Sequence, residues 1–89
     1  MISKTLETAL SRQVNRELYS AYLYLAMSSY FETVSMKGFA KWMRLQAKEE
    51  QMHAMKLHDY VFARGGKVTL ADIEAPKSKW ASAGKVFEE

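Results

Sequence analysis

The sequence predicts an all-α chain: two long helices folded against each other as a hairpin, then a long linker and the start of a third helix. Three observations carry that expectation. Residues Ser3 to Thr33 contain no Gly and no Pro, and their apolar side chains recur at helical spacing. A second run from Lys37 to Arg64 is interrupted only by Gly38 near its start, and Gly65-Gly66 closes it, as glycine after a helix commonly does. The 89 residues hold only four Gly and one Pro, so little breaks either run.

In chain order, Ser3 is a suitable N-cap for a first helix over 3–33, roughly 45 Å long at ~1.5 Å per residue. Its bundle-facing stripe reads Leu10, Val14, Glu17, Ala21, Tyr24, Ser28 and Phe31, in alternating steps of four and three. The segment TVSMKG breaks the pattern. A second helix over 37–64 then shows Met43, Ala47, Glu50, Ala54, Leu57 and Val61 at the same steps. The linker, 65–81, holds the only Pro, and a loop of that length in a small domain spans a distance or carries function. Ser82 could cap a third helix over 82–89. Such a hairpin cannot bury both stripes alone; it self-associates or is half of something larger.

Length sets one small domain, residues 1–89. Hydrophobic residues at 48% and charged residues at 26% are ordinary for a soluble globular chain. Without Cys, neither a disulfide framework nor a thiolate metal site can form, which fits a reducing cytoplasm. The opening MISKTLETAL has no basic segment followed by an apolar run, and no stretch reaches the ~18 apolar residues of a membrane span. A net charge of +3 falls short of a nucleic-acid signature.

Chemistry enters where the stripes break their own rule. Glu17 and Glu50 each occupy a core-facing position, where an isolated carboxylate is costly to desolvate and must be protonated, paired or metal-bound. His53 follows Glu50 by three residues, so both side chains can point at one centre. A Glu-x-x-His pair on one helix joined by a single Glu from another is the ligand pattern of di-iron and di-manganese carboxylate bundles. Oxygen donors plus one imidazole suit iron or manganese better than structural zinc. The plainer alternative is a pair of interior ion pairs, with Glu17 or Glu50 meeting Arg44 or Lys48 across the hairpin.

Four further features carry a functional and a structural reading side by side. Glu49, four residues before His53, could hold a third, looser metal or relay iron, or could be a surface charge near Lys48. Tyr24, two turns from Glu17, could hydrogen-bond a ligand carboxylate or supply an electron, or could be a core aromatic. Tyr19, Tyr22 and Tyr30 read as packing residues, and His58 as a surface or interface residue. The basic stripe Lys37, Lys41, Arg44 and Lys48 reads as a solvated outer face, since no aromatic is interleaved for stacking on bases.

The segments NRELYSAYLYLAMSSYF, KGFAKWMRLQAKEEQMHAMKLHDYVFARGGKV and EAPKSKWAS strongly resemble the non-haem ferritins of bacteria and archaea, over essentially the whole chain. The resemblance implies a ferritin-like four-helix-bundle architecture, of which these residues match the N-terminal half. It implies that Glu17, Glu50 and His53 form the first iron position of a ferroxidase centre. Tyr24 then matches the tyrosine beside that centre, and Glu49 a carboxylate of a third iron position. It further implies oxidation of Fe(II) by O2 or peroxide, with the ferric mineral stored in a hollow homo-oligomeric cage. The carboxylates completing the second position of the di-iron centre would lie beyond the part matched here. Haem-binding relatives carry Met directly after the Glu of Glu-x-x-His; here that residue is Gln51, so no haem is expected. Two copies paired as antiparallel hairpins would together hold the full di-metal inventory. The competing expectations are a non-enzymatic helical assembly module or an inactive ferritin fragment, with DNA protection by the basic stripe ranked last.

Overall fold

A computed structural model describes residues 1–89. The chain is all-helical: α1 (Lys4–Thr33), α2 (Lys37–Ala63) and a single turn, α3 (Ala83–Val86). Helices α1 and α2 lie antiparallel along a body of 49 × 19 × 17 Å. No helix is long and apolar enough to cross a membrane.

Each long helix has an identifiable start or stop. The Ser3 hydroxyl accepts the Leu6 N–H at 3.1 Å, satisfying one of the donors that the first turn of α1 leaves free. Both helices end in the same reversal. After α2, Gly65 adopts φ +81°, its N–H donates to the Phe62 carbonyl, and the Gly66 N–H donates to the Val61 carbonyl. After α1, Ser35 adopts φ +59°, its N–H donates to the Glu32 carbonyl, and the Met36 N–H donates to the Phe31 carbonyl. These are Schellman ends, which favour glycine at the left-handed position. Glycine therefore stops α2, whereas serine stops α1 at a steric cost; Gly38, the only glycine near the break, lies inside α2. Relief of ~1–2 kcal/mol of left-handed strain, less ~0.4–1 kcal/mol of added unfolded-state entropy, makes Ser35→Gly stabilising by about 0.5–1 kcal/mol. Urea titration of the two chains checks this.

The interface between α1 and α2 is built on small residues. Ala40, Ala47 and Ala54 recur every seven positions on α2, with Val61 next; Ala40, Ala54 and Val61 are buried and Ala47 half-buried. Close approach lets the Ser28 hydroxyl donate to the Ala40 carbonyl at 2.7 Å. Larger side chains fill the end near the α1–α2 turn, where Met27, Phe31, Ala40, Met43, Trp80 and Val86 form one buried cluster. Phe31, with no exposed surface, has ring neighbours Tyr30, Phe39 and Phe87 at 5.3–5.8 Å between centroids.

The linker does span a distance. It leaves α2 beside the start of α1, where the Ile2 N–H donates to the Arg64 carbonyl, and returns alongside α1 as an extended strap. Lys67 N–H donates to Glu7 Oε1 at 2.6 Å, and Thr69 N–H donates to Ser11 Oγ at 3.1 Å. Far along, Trp80 meets Tyr30 edge-on at 5.5 Å, with Lys77 Nζ 5.4 Å from the centre of its ring. The α1 segment from Glu7 to Tyr30 is roughly 35 Å long. Residues 67–80 fully extended reach about 45 Å, so a nearly straight chain suffices.

The backbone bond from Lys67, aided by Lys4, holds the Glu7 carboxyl below its ordinary value of 4.5. A lowered carboxylate contributes stability that is present above that ordinary value and is lost as pH falls through the lowered one. Acidification through that window therefore frees the strap, and Glu7→Gln weakens it at neutral pH. Faster hydrogen exchange at the Lys67 amide is the expected readout.

Two expectations are corrected. The third helix was expected over 82–89, but the helical turn covers only Ala83–Val86, and Ser82 makes no side-chain capping bond. Tyr19 and Tyr22 do not pack inside the chain; they are exposed at the surface of α1. The basic stripe is exposed as expected, at Lys37, Lys41, Arg44 and Lys48, and its last three members have a further neighbour. They rim an apolar groove floored by Leu18, Ala21, Leu25 and the strap's Ile73.

Candidate metal centre

Glu17 and Glu50 lie halfway along their helices, on the stripe where α1 and α2 face each other. They are held there for the reason the neighbouring Val14 and Ala54 are buried: the three-four spacing turns every member of the stripe inward. The gap stays partly open at this level, so the Glu17 and Glu50 side chains keep 18% and 23% of their surface and His53 keeps 47%. That is intermediate burial, less severe than a sealed core.

One ligand atom from each of Glu17, Glu50 and His53 falls within 4.8 Å of the others. His53 Nδ1 is 3.8 Å from Glu17 Oε2 and 3.7 Å from Glu50 Oε1. Those gaps are too long for direct hydrogen bonds. Donors about 2.0–2.2 Å from a shared ion stand roughly 3–4 Å apart, so small side-chain rotations would bring all three onto one cation. The donor set therefore fits a divalent metal of the iron or manganese type. Gln13, one turn before Glu17, donates from Nε2 to Glu17 Oε1 at 3.0 Å and orients that carboxylate. Its position four residues before Glu17 was the signal in the sequence that could have found it.

The electrostatics agree with two carboxyls competing for one charge. A hydrogen bond with Glu17 pushes the Glu50 carboxyl above its ordinary value, with partial burial and the Glu17 charge adding to it. The same hydrogen bond, with Gln13 and His53 beside it, holds Glu17 below its ordinary value. Glu50 thus keeps the shared proton longer while Glu17 is the first to ionise.

The alternative ion pairs with Arg44 and Lys48 do not form. Glu17 and Glu50 turn to each other and to His53, while Arg44 and Lys48 point into the basic-rimmed groove on another side of α2. Glu49 is exposed, and its charge adds slightly to the upward pressure on Glu50. Tyr24 is half-buried and packs against the buried cluster near the α1–α2 turn. His58 is half-buried at the surface of α2, its ring tilted against that of Phe62 with 4.8 Å between centroids.

Comparison with known proteins adds an independent line. Residues 7–89 match the family pattern of the ferritin-like domain. The bacterial non-heme ferritin of Bacteroides fragilis strain 638R is 41% identical over 88 residues, covering 99% of this chain and 55% of the relative. That of Staphylococcus epidermidis strain RP62A is 40% identical over 89 residues, covering 100% and 54%. A crystal structure of an open-pore ferritin from the hyperthermophilic archaeon Archaeoglobus fulgidus superposes with a TM-score of 0.95 at 53% identity, over 99% of this chain and 54% of the other. The chain spans about half the length of the curated relatives it matches. By pattern, sequence and superposition together, the chain belongs to the ferritin-like domain family.

Proposed function

We propose that this chain takes up Fe(II) at Glu17, Glu50 and His53, as part of a di-iron ferroxidase centre that delivers Fe(III) for storage as a mineral. The observation that carries this reading is the convergence of those three donors, from two helices, within 4.8 Å of one another. The names of the relatives, bacterial non-heme ferritins, support iron as the cargo and a centre without haem. Gln51 after Glu50 supports the same absence of haem.

Each residue has a distinct task. Glu17 and Glu50 are hard oxygen donors, which hold Fe(III) more tightly than Fe(II) and so favour the oxidised product. His53 supplies the imidazole that sets the orientation of the bound ion. Gln13 keeps Glu17 aimed at the site. Glu49, exposed one residue from Glu50, serves a third and looser iron position on the way in or out. Tyr24, on the same face of α1, is placed to donate a hydrogen bond or an electron. Two Fe(II) side by side supply two electrons, so O2 is reduced to hydrogen peroxide, or peroxide to water, without release of a one-electron radical. The reading extends to a homo-oligomeric cage in the cytoplasm, with the second iron position completed by groups outside a single copy of these residues.

The test is an aerobic Fe(II) oxidation assay on the chain, against Fe(II) in buffer alone. Equal rates would reject the ferroxidase reading and leave a helical assembly module, which the exposed Tyr22, Leu25 and Leu45 would suit. Metal affinity also has a pH signature. A cation must displace the proton that Glu50 holds above the ordinary value of 4.5. Affinity therefore rises with pH through the mildly acid range, and binding releases protons there. Calorimetry in two buffers of unlike ionisation heat reads both.

A further inference from the structure

We propose that Gln13 is a positioning residue that makes Glu17 a one-oxygen ligand, its amide holding Oε1 and reserving Oε2 for the ion. The inference rests on the metal reading above and adds which atom binds and what enforces that choice.

The two oxygens of Glu17 have different surroundings. Gln13 Nε2 donates to Oε1 at 3.0 Å, whereas Oε2 is the oxygen that stands 3.8 Å from His53 Nδ1. His53 Nδ1 in turn approaches Glu50 through Oε1, at 3.7 Å. The oxygen that Gln13 holds is therefore not the one turned to the other donors. An ionised carboxylate has no proton to give, so the amide must present its NH2 end and cannot turn its carbonyl to Glu17.

Helix geometry explains why the partners divide in this way. Residues four apart share a helix face, and side chains lean toward the helix N-terminus, so Glu17 leans over the turn that bears Gln13. The amide thus reaches the carboxylate along α1, while His53 and Glu50 reach it from α2. An exposed pair at this spacing contributes little, because water competes for both partners. Here the Glu17 side chain keeps only 18% of its surface, and a hydrogen bond to an ionised acceptor is among the stronger ones.

The chemical consequence lies in the count of bonds at the ion. With Oε1 engaged, Glu17 fills one coordination position instead of two and leaves the other for a further donor or for the oxidant. The amide is already in place before the ion arrives, so binding requires no rearrangement of Gln13.

The experiment binds Mn(II), which avoids oxidation, to the chain and to Gln13→Leu, and reads affinity by calorimetry and carboxylate stretches by infrared difference spectra. The gap between antisymmetric and symmetric stretches is wider for one-oxygen than for two-oxygen binding. Leucine is a good helix former without a donor, so the helical circular dichroism should persist. Gln13→Ala repeats the measurement, so that a packing fault of leucine cannot decide the outcome. Expected is an affinity lower by about 10–100-fold, with one carboxylate showing a narrower gap as Oε1 joins the ion. Two-oxygen binding closes a strained four-membered ring and does not replace what orientation supplied. Gln13→Lys returns an N–H donor one turn from Glu17 and should restore the wide gap. Unchanged affinity, an unchanged gap, or a gap that stays narrow in Gln13→Lys overturns the proposal and leaves the metal reading standing. Failure of the unsubstituted chain to bind Mn(II) overturns both.

Discussion

Glu50→Ala is expected to abolish rapid Fe(II) oxidation while leaving the helical signal of the chain intact. The loss follows from geometry: Glu50 is one of three candidate donors that converge, and its oxygen stands 3.7 Å from His53 Nδ1 on the same turn of α2. Removing a group that merely orients a ligand typically costs 10–100-fold in metal affinity, so losing a ligand should cost at least about 100-fold. Stability is expected to change little, within about 0.5 kcal/mol, because the residue is half-buried and bears a carboxyl that its neighbour already pushes toward the neutral form. The substitution therefore separates function from folding. Stopped-flow oxidation and thermal circular dichroism on one preparation measure both. An unchanged oxidation rate would show that the iron is handled elsewhere.

Phe31→Ala is expected to do the reverse, costing stability through a residue that carries no chemistry. Its ring has no exposed surface and touches both long helices and the segment after Trp80, by way of Phe39 and Phe87. Truncating such a side chain removes its transfer energy and leaves a cavity, about 3–5 kcal/mol in well-packed cores. Small domains hold only about 5–15 kcal/mol in total, so a loss of that size is a large share of it. A fall in Tm of about 12 °C or more is expected from thermal melts. A change below about 1 kcal/mol would mean that the aromatic cluster is not the main source of stability.

The convergence of Glu17, Glu50 and His53 was readable from the sequence because the two glutamates violate a pattern. A three-four stripe predicts Leu or Ala, and the two exceptions, with a histidine three residues after one of them, pointed to a shared centre before any coordinate. The helices were readable for the same reason, as was the stop at Gly65, since only glycine is at ease at positive φ. Ser35 shows the limit. Serine at a left-handed position is an energetic compromise that no local preference announces, so the break before α2 could be placed but its mechanism could not. The strap was equally opaque: a linker could be inferred to cross a distance, but its anchors at Glu7 and Ser11 are side chains of α1, remote in sequence. Trp80 belongs to the buried cluster for the same reason of remoteness. The basic stripe was legible as a solvated face and is exposed, but periodicity reports only the helix that bears it. The groove it rims needs α1 and Ile73 as well.

The anchoring of the strap has a consequence for the order in which the chain acquires its structure. Helix-to-helix contacts near the α1–α2 turn close short loops, whereas the bonds to Lys67 and Thr69 join residues 60 and 58 positions apart. Loop closure of that length is entropically costly and is repaid here by two hydrogen bonds and a later aromatic contact. The hairpin therefore forms first and the strap docks onto a surface already made. On the way back, the strap is the first part to open, a low-energy excursion that leaves α1 against α2 and the three donors in place.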